Sequence, residues 1–452
     1  VIGESVKRIN RYAGNNTIGD VHLGDWGLQM GLIIEELRDR KPELPYFDEA
    51  YTGEYPSEPP FTISELEQIY PAASAKSKED EEFAKRAHES TLKLQSGDRA
   101  CTAIWKHIMN VSKKDLKKNY DNLNVSFDLW KGESDAQPYI KDMVDKMVED
   151  GIAYESQGAT VVDIAEPTDT KELPPCIVRK SDGAALYATS DLATIVEREK
   201  LYKPDTYIYL ADKRQELHFT QVFRTAKKAG IVRPDADMRF VGFGTMNGKD
   251  GKPFKTRDGG VMNLEDMIKI SKDKVRESMP EPSAEYDAAY IEKLVGQIAV
   301  GAMKFQDLKN NIASGYVFEI DDFAKFEGKT GPYIQYAIAR INSILRKAGE
   351  IKPGKIVITN PEERDLALKL MQLNNIVLRT HEAKEPSIIS DYAYTLAQAF
   401  SSFYNTSPIM SAATPEQAAS RLQIAKIVRD VLTLLLNLLG IEAPEVMLKK
   451  AE

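Results

Sequence analysis

Cysteine and histidine are scarce in this chain of 452 residues. The two cysteines, Cys101 and Cys176, lie far apart without a CxxC partner, and the five histidines are equally scattered. Structural zinc sites are built from closely spaced Cys and His residues. We therefore expect no zinc and no other metal held by protein ligands. The low cysteine content fits a reducing, cytoplasmic setting.

Long apolar runs are also missing. The longest, residues 431–439, is about half the length that a membrane-spanning helix needs. An excess of basic charge is absent as well, because the formal net charge is −9 at pH 7. We expect no membrane partner, and this charge argues against a protein that coats nucleic acid nonspecifically.

What the chain does have is the composition of a folded protein. Hydrophobic residues make up 42% of it and charged residues 29%, which is typical of globular rather than disordered chains. Chains of this length usually form more than one hydrophobic core. We therefore expect two or three domains.

A glycine-rich segment, residues 248–260, carries the strongest local signal for a ligand. Its four glycines free the backbone for tight turns and for close approach to a ligand. Its cations donate hydrogen bonds and accept none; they are Lys249, Lys252, Lys255 and Arg257. The segment lies between a predicted strand and a predicted helix, where backbone amides can also face phosphate. The pattern favours a polyphosphate-binding loop, and a solvated surface hairpin is the open alternative.

Strand and helix patterns alternate before this segment. The predicted strands are residues 160–164, 175–178, 184–187, 207–211 and 239–243, with a helix over residues 215–228. Residues 15–27 read as a further strand that runs into a glycine-rich loop, and a helix follows from Leu28. This order predicts an α/β fold with a Rossmann-type parallel sheet, incomplete at its N-terminus.

The rest of the chain divides into an insertion and a helical tail. Residues 40–120 are predicted to form an insertion, with a loop-rich stretch over residues 39–71 and helices over 78–95 and 98–110. From Ile291 onward the pattern is almost wholly helical. The expected domains are a Rossmann domain over residues 1–265, a linking helical region over 266–325 and an all-α bundle over 326–452.

Four polar residues fall where strands of the predicted sheet end: Tyr187, Asp191, Gln215 and His218. Open α/β sheets bind ligands at that edge, and a phenol, a carboxylate and an amide suit a cationic, hydrogen-bonding substrate. Two alternatives stay open. Asp191 after Thr-Ser could instead cap a helix, and His218 could be a core histidine with its hydrogen bonds satisfied.

The chain opens on helical spacing of Ile2, Val6 and Ile9, with no capping residue before it and with Gly14 as a natural stop. A helix that lacks its start is typical of a fragment. We therefore expect this chain to be a piece of a longer protein.

Eight motifs make the chain resemble the bacterial-type arginyl-tRNA synthetases, a class I family, over essentially its whole length. They are HxGDWGxQxG (22–31), FDxxxGES (127–134), YATSDLA (187–193), QxLHFxQ (215–221), GKPFKTRxGG (251–260), EGxTGPYxQYAxAR (327–340), FSSFY (400–404) and LLGIEAPEVM (438–447). The family's order is kept throughout, which makes the match specific.

The resemblance implies a reaction and its participants. ATP and Mg²⁺ would serve to form arginyl-adenylate from L-arginine, and arginine would then pass to the terminal adenosine of its tRNA. The implied fold is a Rossmann domain with an insertion and a helical anticodon-binding domain. We expect a monomer.

The resemblance also implies roles for individual residues. The run from Pro253 to Arg257 stands where class I enzymes carry their KMSKS loop and departs from that sequence, which gives Lys255 and Arg257 as catalytic cations. The arginine site would be formed by Tyr187, Asp191 and Gln215. The ATP site would be formed by His22, Gly24, Asp25, His218, Gly244, Lys252 and Lys255, and the tRNA site by Tyr333, Tyr336 and Arg340.

One departure from the family matters for activity. The family's His-x-Gly-His signature and the Ser-Pro-Asn stretch would lie just before Val1, together with an N-terminal domain that contacts the tRNA corner. We therefore expect this chain alone not to activate arginine. The other hypotheses are a non-catalytic tRNA-binding module and a different class I nucleotidyl transferase.

Overall fold

The computed structural model describes residues 1–180, 186–252, 262–279, 286–318 and 325–448. Helices of the first part are α1 (Ile2–Tyr12), α2 (Leu28–Arg40), α3 (Ile63–Glu79), α4 (Glu81–Gln95), α5 (Arg99–Asn122), α6 (Glu133–Glu149), α7 (Tyr187–Leu201), α8 (Glu216–Lys228), α9 (Leu264–Ser278) and α10 (Ala288–Leu308). Those that follow are α11 (Gly331–Lys347), α12 (Pro361–Leu370), α13 (Leu373–Ala383), α14 (Ser387–Thr406) and α15 (Pro415–Leu438). Strands are β1 (Ala153–Ser156), β2 (Ala159–Val162), β3 (Cys176–Arg179), β4 (Thr206–Asp212), β5 (Asp237–Phe243), β6 (Met246–Asn247) and β7 (Tyr316–Val317).

The parallel pair β4 and β5, joined by α8, is the βαβ unit that the sequence predicts. The pairing runs in register from Thr206 opposite Asp237 to Asp212 opposite Phe243. Helix α8 buries Val222 in the core of this unit. Because parallel strands end at the same edge, the residues that follow β4 and β5 lie on one side of the molecule. The α/β class with a helical tail is confirmed.

The three-stranded sheet β1–β2–β3 is antiparallel. The predicted hairpin of β2 and β3 is confirmed, and β1 adds a strand that the sequence analysis did not predict. The predicted strand over residues 184–187 is wrong at its end, because Tyr187 begins α7; residues 184 and 185 lie outside the described part. The Thr189 hydroxyl accepts a hydrogen bond from the Leu186 amide and donates one to the Val178 carbonyl, which starts the helix there.

The segment over residues 15–27 pairs only briefly. Isolated parallel bridges join Asp20 to Leu129 and Leu23 to Gly132. The Val21 amide donates to the Leu129 carbonyl over 3.2 Å. In place of the predicted strand, this segment makes a short parallel contact with the residues just before α6. The helix predicted after it is α2.

The insertion is more helical than the sequence indicates. Helix α3 begins at Ile63, inside the stretch predicted to be loop-rich, because Thr62 and Glu65 form a reciprocal capping box. Pro71 lies within this helix. The helix was not predicted because the composition of the stretch is typical of loops. Helix α5 continues to Asn122, well beyond its predicted end.

The helices from α11 onward pack around one apolar core, to which Ile9 of α1 and Phe305 and Leu308 of α10 also contribute. Ile338, Leu396 and Leu432 come from three different helices and are fully buried in one cluster. Gly440, at a φ of +68°, ends α15 as predicted. Across the described residues, none of the helices combines the length and the apolar character that crossing a bilayer requires.

A buried junction ties the bundle to the rest of the chain. Lys304, on α10, is fully buried and its Nζ donates to the carbonyls of Leu123 at 2.7 Å and Gly440 at 2.5 Å. Ser5 and Arg8, on α1, donate to carbonyls at the end of α15. Donors from two other helices thus satisfy the carbonyl groups that a helix C-terminus leaves unpaired.

Candidate functional site

The first two turns of α7 present the acidic side chain of the predicted arginine site. The Thr189 hydroxyl accepts the hydrogen bond of the Leu186 amide at the start of α7. Asp191 therefore does not cap this helix, which was the alternative role that the sequence left open. Asp191 lies within the helix and keeps 14% of its side chain exposed. Its carboxylate is therefore partly desolvated and available for a partner.

Two histidines face this carboxylate from different elements. Nε2 of His218, in the first turn of α8, lies 2.6 Å from one Asp191 oxygen. Nε2 of His22, on the loop before α2, lies 3.8 Å from the other oxygen. Burial lowers the pKa of His22, and the charge of Asp191 opposes that shift. The fold thus brings these three residues together, although the first and the last, His22 and His218, are more than 150 positions apart in the sequence.

A second carboxylate, Glu133, joins the site. It is the first residue of α6 and is 9% exposed. Burial, with smaller contributions from the carboxylates of Asp191 and Asp25, raises its pKa to about 7. The sequence analysis did not name Glu133 among the site residues, although it lies in the FDxxxGES motif over residues 127–134. That motif is the signal that could have identified it.

Asp25 is one of the predicted ATP-site residues, and its side chain already has partners. One oxygen accepts from the Ser134 amide at 3.0 Å and the other from the Ser134 hydroxyl at 2.6 Å. Its backbone carbonyl accepts from the Trp105 indole at 2.8 Å. Asp25 therefore holds the start of α6, with Glu133, against the loop that carries His22.

Tyr187 and Gln215 are the other two residues predicted for the arginine site, and both are exposed. Tyr187 is the first residue of α7, and its side chain is 65% exposed. Burial of its hydroxyl raises the pKa of Tyr187, with smaller contributions from Glu133 and Tyr70. Gln215 ends a short 3₁₀ turn after β4 and is exposed. Both side chains are accessible to a substrate that approaches Asp191.

The predicted phosphate-site glycines differ in their surroundings. At Gly244 a Cβ would lie 2.3 Å from the carbonyl carbon of Ser314, so this position requires glycine for packing. At Gly24 a Cβ would meet only the Gln29 side chain at 3.6 Å, which leaves its backbone approachable. Lys252 is exposed at the end of the described part of the loop. Lys255 and Arg257 lie outside the described residues.

The predicted tRNA-binding residues lie on α11. The Tyr333 ring packs edge-on against Tyr394 with centroids 5.5 Å apart. The Arg340 guanidinium lies over the Tyr404 ring, 4.5 Å from its centroid. Tyr333, Tyr336 and Arg340 are half-buried, so each presents only part of its side chain to a partner.

Two cavities among the described residues lie elsewhere. A cavity of about 470 Å³ lies beside Glu199 and Arg233, and one of about 560 Å³ lies beside Asn375 and Arg379. Neither is lined by a residue of the predicted substrate sites. The candidate site is defined here by its converging side chains.

Two protein families match the chain in succession. Residues 1–320 match the family described as tRNA synthetases class I (R), catalytic domain. Residues 334–447 match the DALR anticodon binding domain. Together the two families account for most of the chain.

Named proteins match it over nearly its whole length. The arginine–tRNA ligase of Agathobacter rectalis is 53% identical over 99% of this chain and 77% of its own length. That of Alkaliphilus oremlandii is 52% identical over 99% of this chain and 77% of its own length. Arginyl-tRNA synthetase from Plasmodium falciparum superposes with a TM-score of 0.81 at 25% identity, covering 99% of this chain and 73% of that one. The Thermus thermophilus arginyl-tRNA synthetase gives a TM-score of 0.80 at 23% identity, covering 99% of this chain and 78% of that one, which shows a shared fold.

Proposed function

The chain belongs to the class I arginyl-tRNA synthetases, and we propose that it attaches L-arginine to its tRNA through an ATP-dependent arginyl-adenylate. The observation that carries the proposal is the pairing of two carboxylates, Asp191 and Glu133, at one partly desolvated place. The two carboxylates lie close enough together that the charge of Asp191 raises the pKa of Glu133. Two such carboxylates suit a cationic substrate.

Arginine selection follows from the chemistry of its side chain. A guanidinium group is planar and carries five N–H donors, so carboxylate oxygens match it better than they match a point charge. Asp191 and Glu133 would accept those donors, and Tyr187 and Gln215 would orient the substrate. Leaving the cation unpaired there would cost roughly 2–5 kcal/mol.

Activation needs ATP beside this arginine site. We place His22 and His218 against ATP because both lie beside Asp191, and we add Gly24 because it follows His22 by two residues in the same loop. The arginine carboxylate attacks the α-phosphorus of ATP, forms the mixed anhydride and releases pyrophosphate. Lys252, with Lys255 and Arg257, would stabilise the departing phosphates.

Mg²⁺ would enter with ATP and be held by its phosphates. Within the described ranges, no three or more His, Cys, Asp or Glu side chains are grouped to bind a metal ion.

Transfer then requires that the tRNA contact the protein at two places, with its terminal adenosine at the catalytic site and its anticodon arm at the helical bundle. A ribose hydroxyl of the terminal adenosine attacks the activated carbonyl and releases AMP. The helical bundle, which includes the match to the DALR anticodon binding domain, would hold the anticodon arm, with Tyr333, Tyr336 and Arg340 on its α11 surface. Unpaired bases are usually recognised by stacking and by cations. We propose that the protein acts in the cytoplasm as a monomer.

Arginine-dependent pyrophosphate exchange, measured with and without tRNA, tests this function. The assay is run on this chain and on a version extended at the N-terminus, with Asp191→Asn as the site control. In the extended protein we expect exchange that depends on arginine and is lost in the variant, whereas this chain alone is expected to show none. If tRNA binds but the extended protein shows no exchange, a non-catalytic tRNA-binding role replaces the proposal.

A further inference from the structure

Arg198 lies on α7, two helical turns beyond Asp191. Its side chain is only 19% exposed. One terminal nitrogen donates to the Tyr209 hydroxyl at 2.7 Å, and the other donates to Asp20 at 2.9 Å. Its guanidinium carbon also lies 5.3 Å from the centre of the Tyr209 ring. This buried cation is therefore fully engaged by two different elements.

The first of these elements carries His22. Asp20 is 11% exposed, and its other oxygen accepts from the Lys131 amide at 3.2 Å. Asp20 also forms a parallel bridge with Leu129. Through Asp20, Arg198 thus fixes the segment that places His22 beside Asp191.

The second element leads to His218. Tyr209 is in the middle of β4, the strand that precedes α8, and its ring packs against Phe219 with centroids 5.1 Å apart. Phe219 is the neighbour of His218 on α8. Through Tyr209, Arg198 thus braces the strand and helix that place His218 against Asp191.

A purely structural role is the competing explanation. Buried ion pairs contribute little net stability, and hydrophobic replacements often serve equally well. A brace for stability alone has no reason to contact both elements that carry the histidines of one carboxylate. Arg198 does so, from the same helix as that carboxylate.

We propose that Arg198 is a positioning residue that holds His22 and His218 on the two sides of Asp191 and so orients this carboxylate towards the substrate guanidinium. The inference rests on the proposed function, since it names how that arginine site is kept in shape. It assigns Arg198 no contact with the substrate.

The charge of Arg198 has a second effect, on His22. Burial lowers the pKa of His22 most, and Arg198 lowers it too, while Asp191, Asp20 and Asp25 oppose the shift. A neutral His22 leaves Asp191 free for the substrate cation. Loss of Arg198 should raise the pKa of His22, and a protonated His22 would then compete with arginine for Asp191.

The test uses the N-terminally extended protein as the parent and compares its Arg198→Met and Arg198→Lys variants with Arg224→Met. Arg224 makes a similar ion pair, with two bonds of 2.7 Å to Asp169, in the same domain but outside the site. We expect Arg198→Met to raise the KM for arginine by about 10- to 100-fold, most strongly below pH 7, with a smaller change in kcat. Arg198→Lys should recover part of the loss, and Arg224→Met should leave the KM unchanged.

A proton NMR titration of His22 gives a readout that does not need activity. The chain has five histidines, and His22→Gln assigns the signal. We expect the pKa of His22 to rise in Arg198→Met and to stay at the parent value in Arg224→Met. If Arg198→Met does not fold, Tyr209→Phe, which removes one bond, should raise the KM for arginine in the same direction. An unchanged His22 titration and an unchanged KM would overturn the inference, whereas absence of exchange in the parent protein would overturn the proposed function instead.

Discussion

Nε2 of His218 lies 2.6 Å from Oδ2 of Asp191, while Nε2 of His22 is 3.8 Å from Oδ1 of the same carboxylate. One oxygen of Asp191 is therefore already engaged by a close ring nitrogen. The other keeps lone pairs for a ligand. A guanidinium group would meet this second oxygen first, with Glu133 as the next acceptor.

Asp191→Asn should weaken arginine binding without weakening the fold. The amide keeps an acceptor for His218 but removes the charge that pairs with the guanidinium, at a cost of roughly 2–5 kcal/mol in affinity. Calorimetric titration with arginine measures the loss. Thr189→Ala is the matched control on the same helix, because Thr189 bonds the Leu186 amide; it should lower stability by about 1 kcal/mol and leave arginine affinity intact. If Asp191→Asn instead lowered stability and left arginine affinity intact, Asp191 would have a structural role only.

Glu133→Gln should lower arginine affinity and raise stability at the same time. Burial and the nearby carboxylates raise the pKa of Glu133 to about 7. The folded state therefore binds more protons than the unfolded state between the ordinary carboxyl pKa and 7, and folding stability falls as pH rises through that window. Glutamine carries no such charge, so the variant should gain up to about 3 kcal/mol above pH 7.

The same shift makes arginine binding dependent on pH. A guanidinium group favours ionised Glu133, so binding below pH 7 should release a proton, and the affinity should fall as the pH decreases. Calorimetry in buffers of different ionisation enthalpy counts that proton. Glu133→Gln should show a lower affinity with no proton release attributable to this residue. A variant that binds arginine as tightly as the parent would remove Glu133 from the site.

Lys255→Ala and Arg257→Ala test the catalytic cations, which stay predictions from sequence. Charge-assisted bonds that strengthen as pyrophosphate leaves lower the barrier more than they aid binding. Each substitution should slow activation about 10²-fold with a smaller effect on arginine affinity. Single-turnover formation of arginyl-adenylate, in the N-terminally extended protein, is the measurement. An unchanged rate in both variants would reject this assignment.

Much of the fold was predictable because its signals are local. Strand β4, helix α8 and strand β5 follow from periodicity, and the motif order identified the family. Tyr187 was placed in a strand because the bonds that start its helix come from Thr189, whose partner Val178 is distant in sequence. Glu133 was missed although it stands in the FDxxxGES motif, because its raised pKa depends on burial beside carboxylates from other elements.

Gly244→Ala should destabilise the protein, whereas Gly24→Ala should not. An added Cβ at Gly244 would lie 2.3 Å from backbone of Ser314, so the chain must shift at a cost of about 1–3 kcal/mol. At Gly24 the nearest atom would be 3.6 Å away. Thermal unfolding compares the two variants, and the KM for ATP tests the predicted site. If Gly24 lies against ATP, its alanine variant should raise that KM at unchanged stability; an unchanged KM would remove Gly24 from the site.

Lys304→Met should loosen the junction between the bundle and the rest of the chain. The Lys304 ammonium donates to the carbonyls of Leu123 and Gly440, and both bonds are buried. Methionine keeps the volume and loses the donors, and a buried acceptor left without a donor costs about 1–3 kcal/mol. Asn124 also donates to Gly440, over 3.2 Å, so the full penalty falls on Leu123. Lys293→Met, on an exposed position of the same helix, is the control and should change stability little.

The pH dependence of this loss separates a neutral from a charged Lys304. Burial lowers the pKa of Lys304 to about 7, so the unfolded state binds more protons than the folded state between 7 and the ordinary lysine pKa. Its contribution to stability therefore rises with pH across that window, by up to about 1.4 kcal/mol per pH unit, and is lost as the pH falls towards 7. A neutral amine still has two N–H donors, which matches the two short carbonyl contacts. The difference in unfolding free energy between the parent and Lys304→Met should consequently widen from pH 7 to pH 9. A constant difference would mean that Lys304 stays charged at this junction and that the carbonyl groups of Leu123 and Gly440, with the C-terminal end of α15, offset the cost of burying its charge.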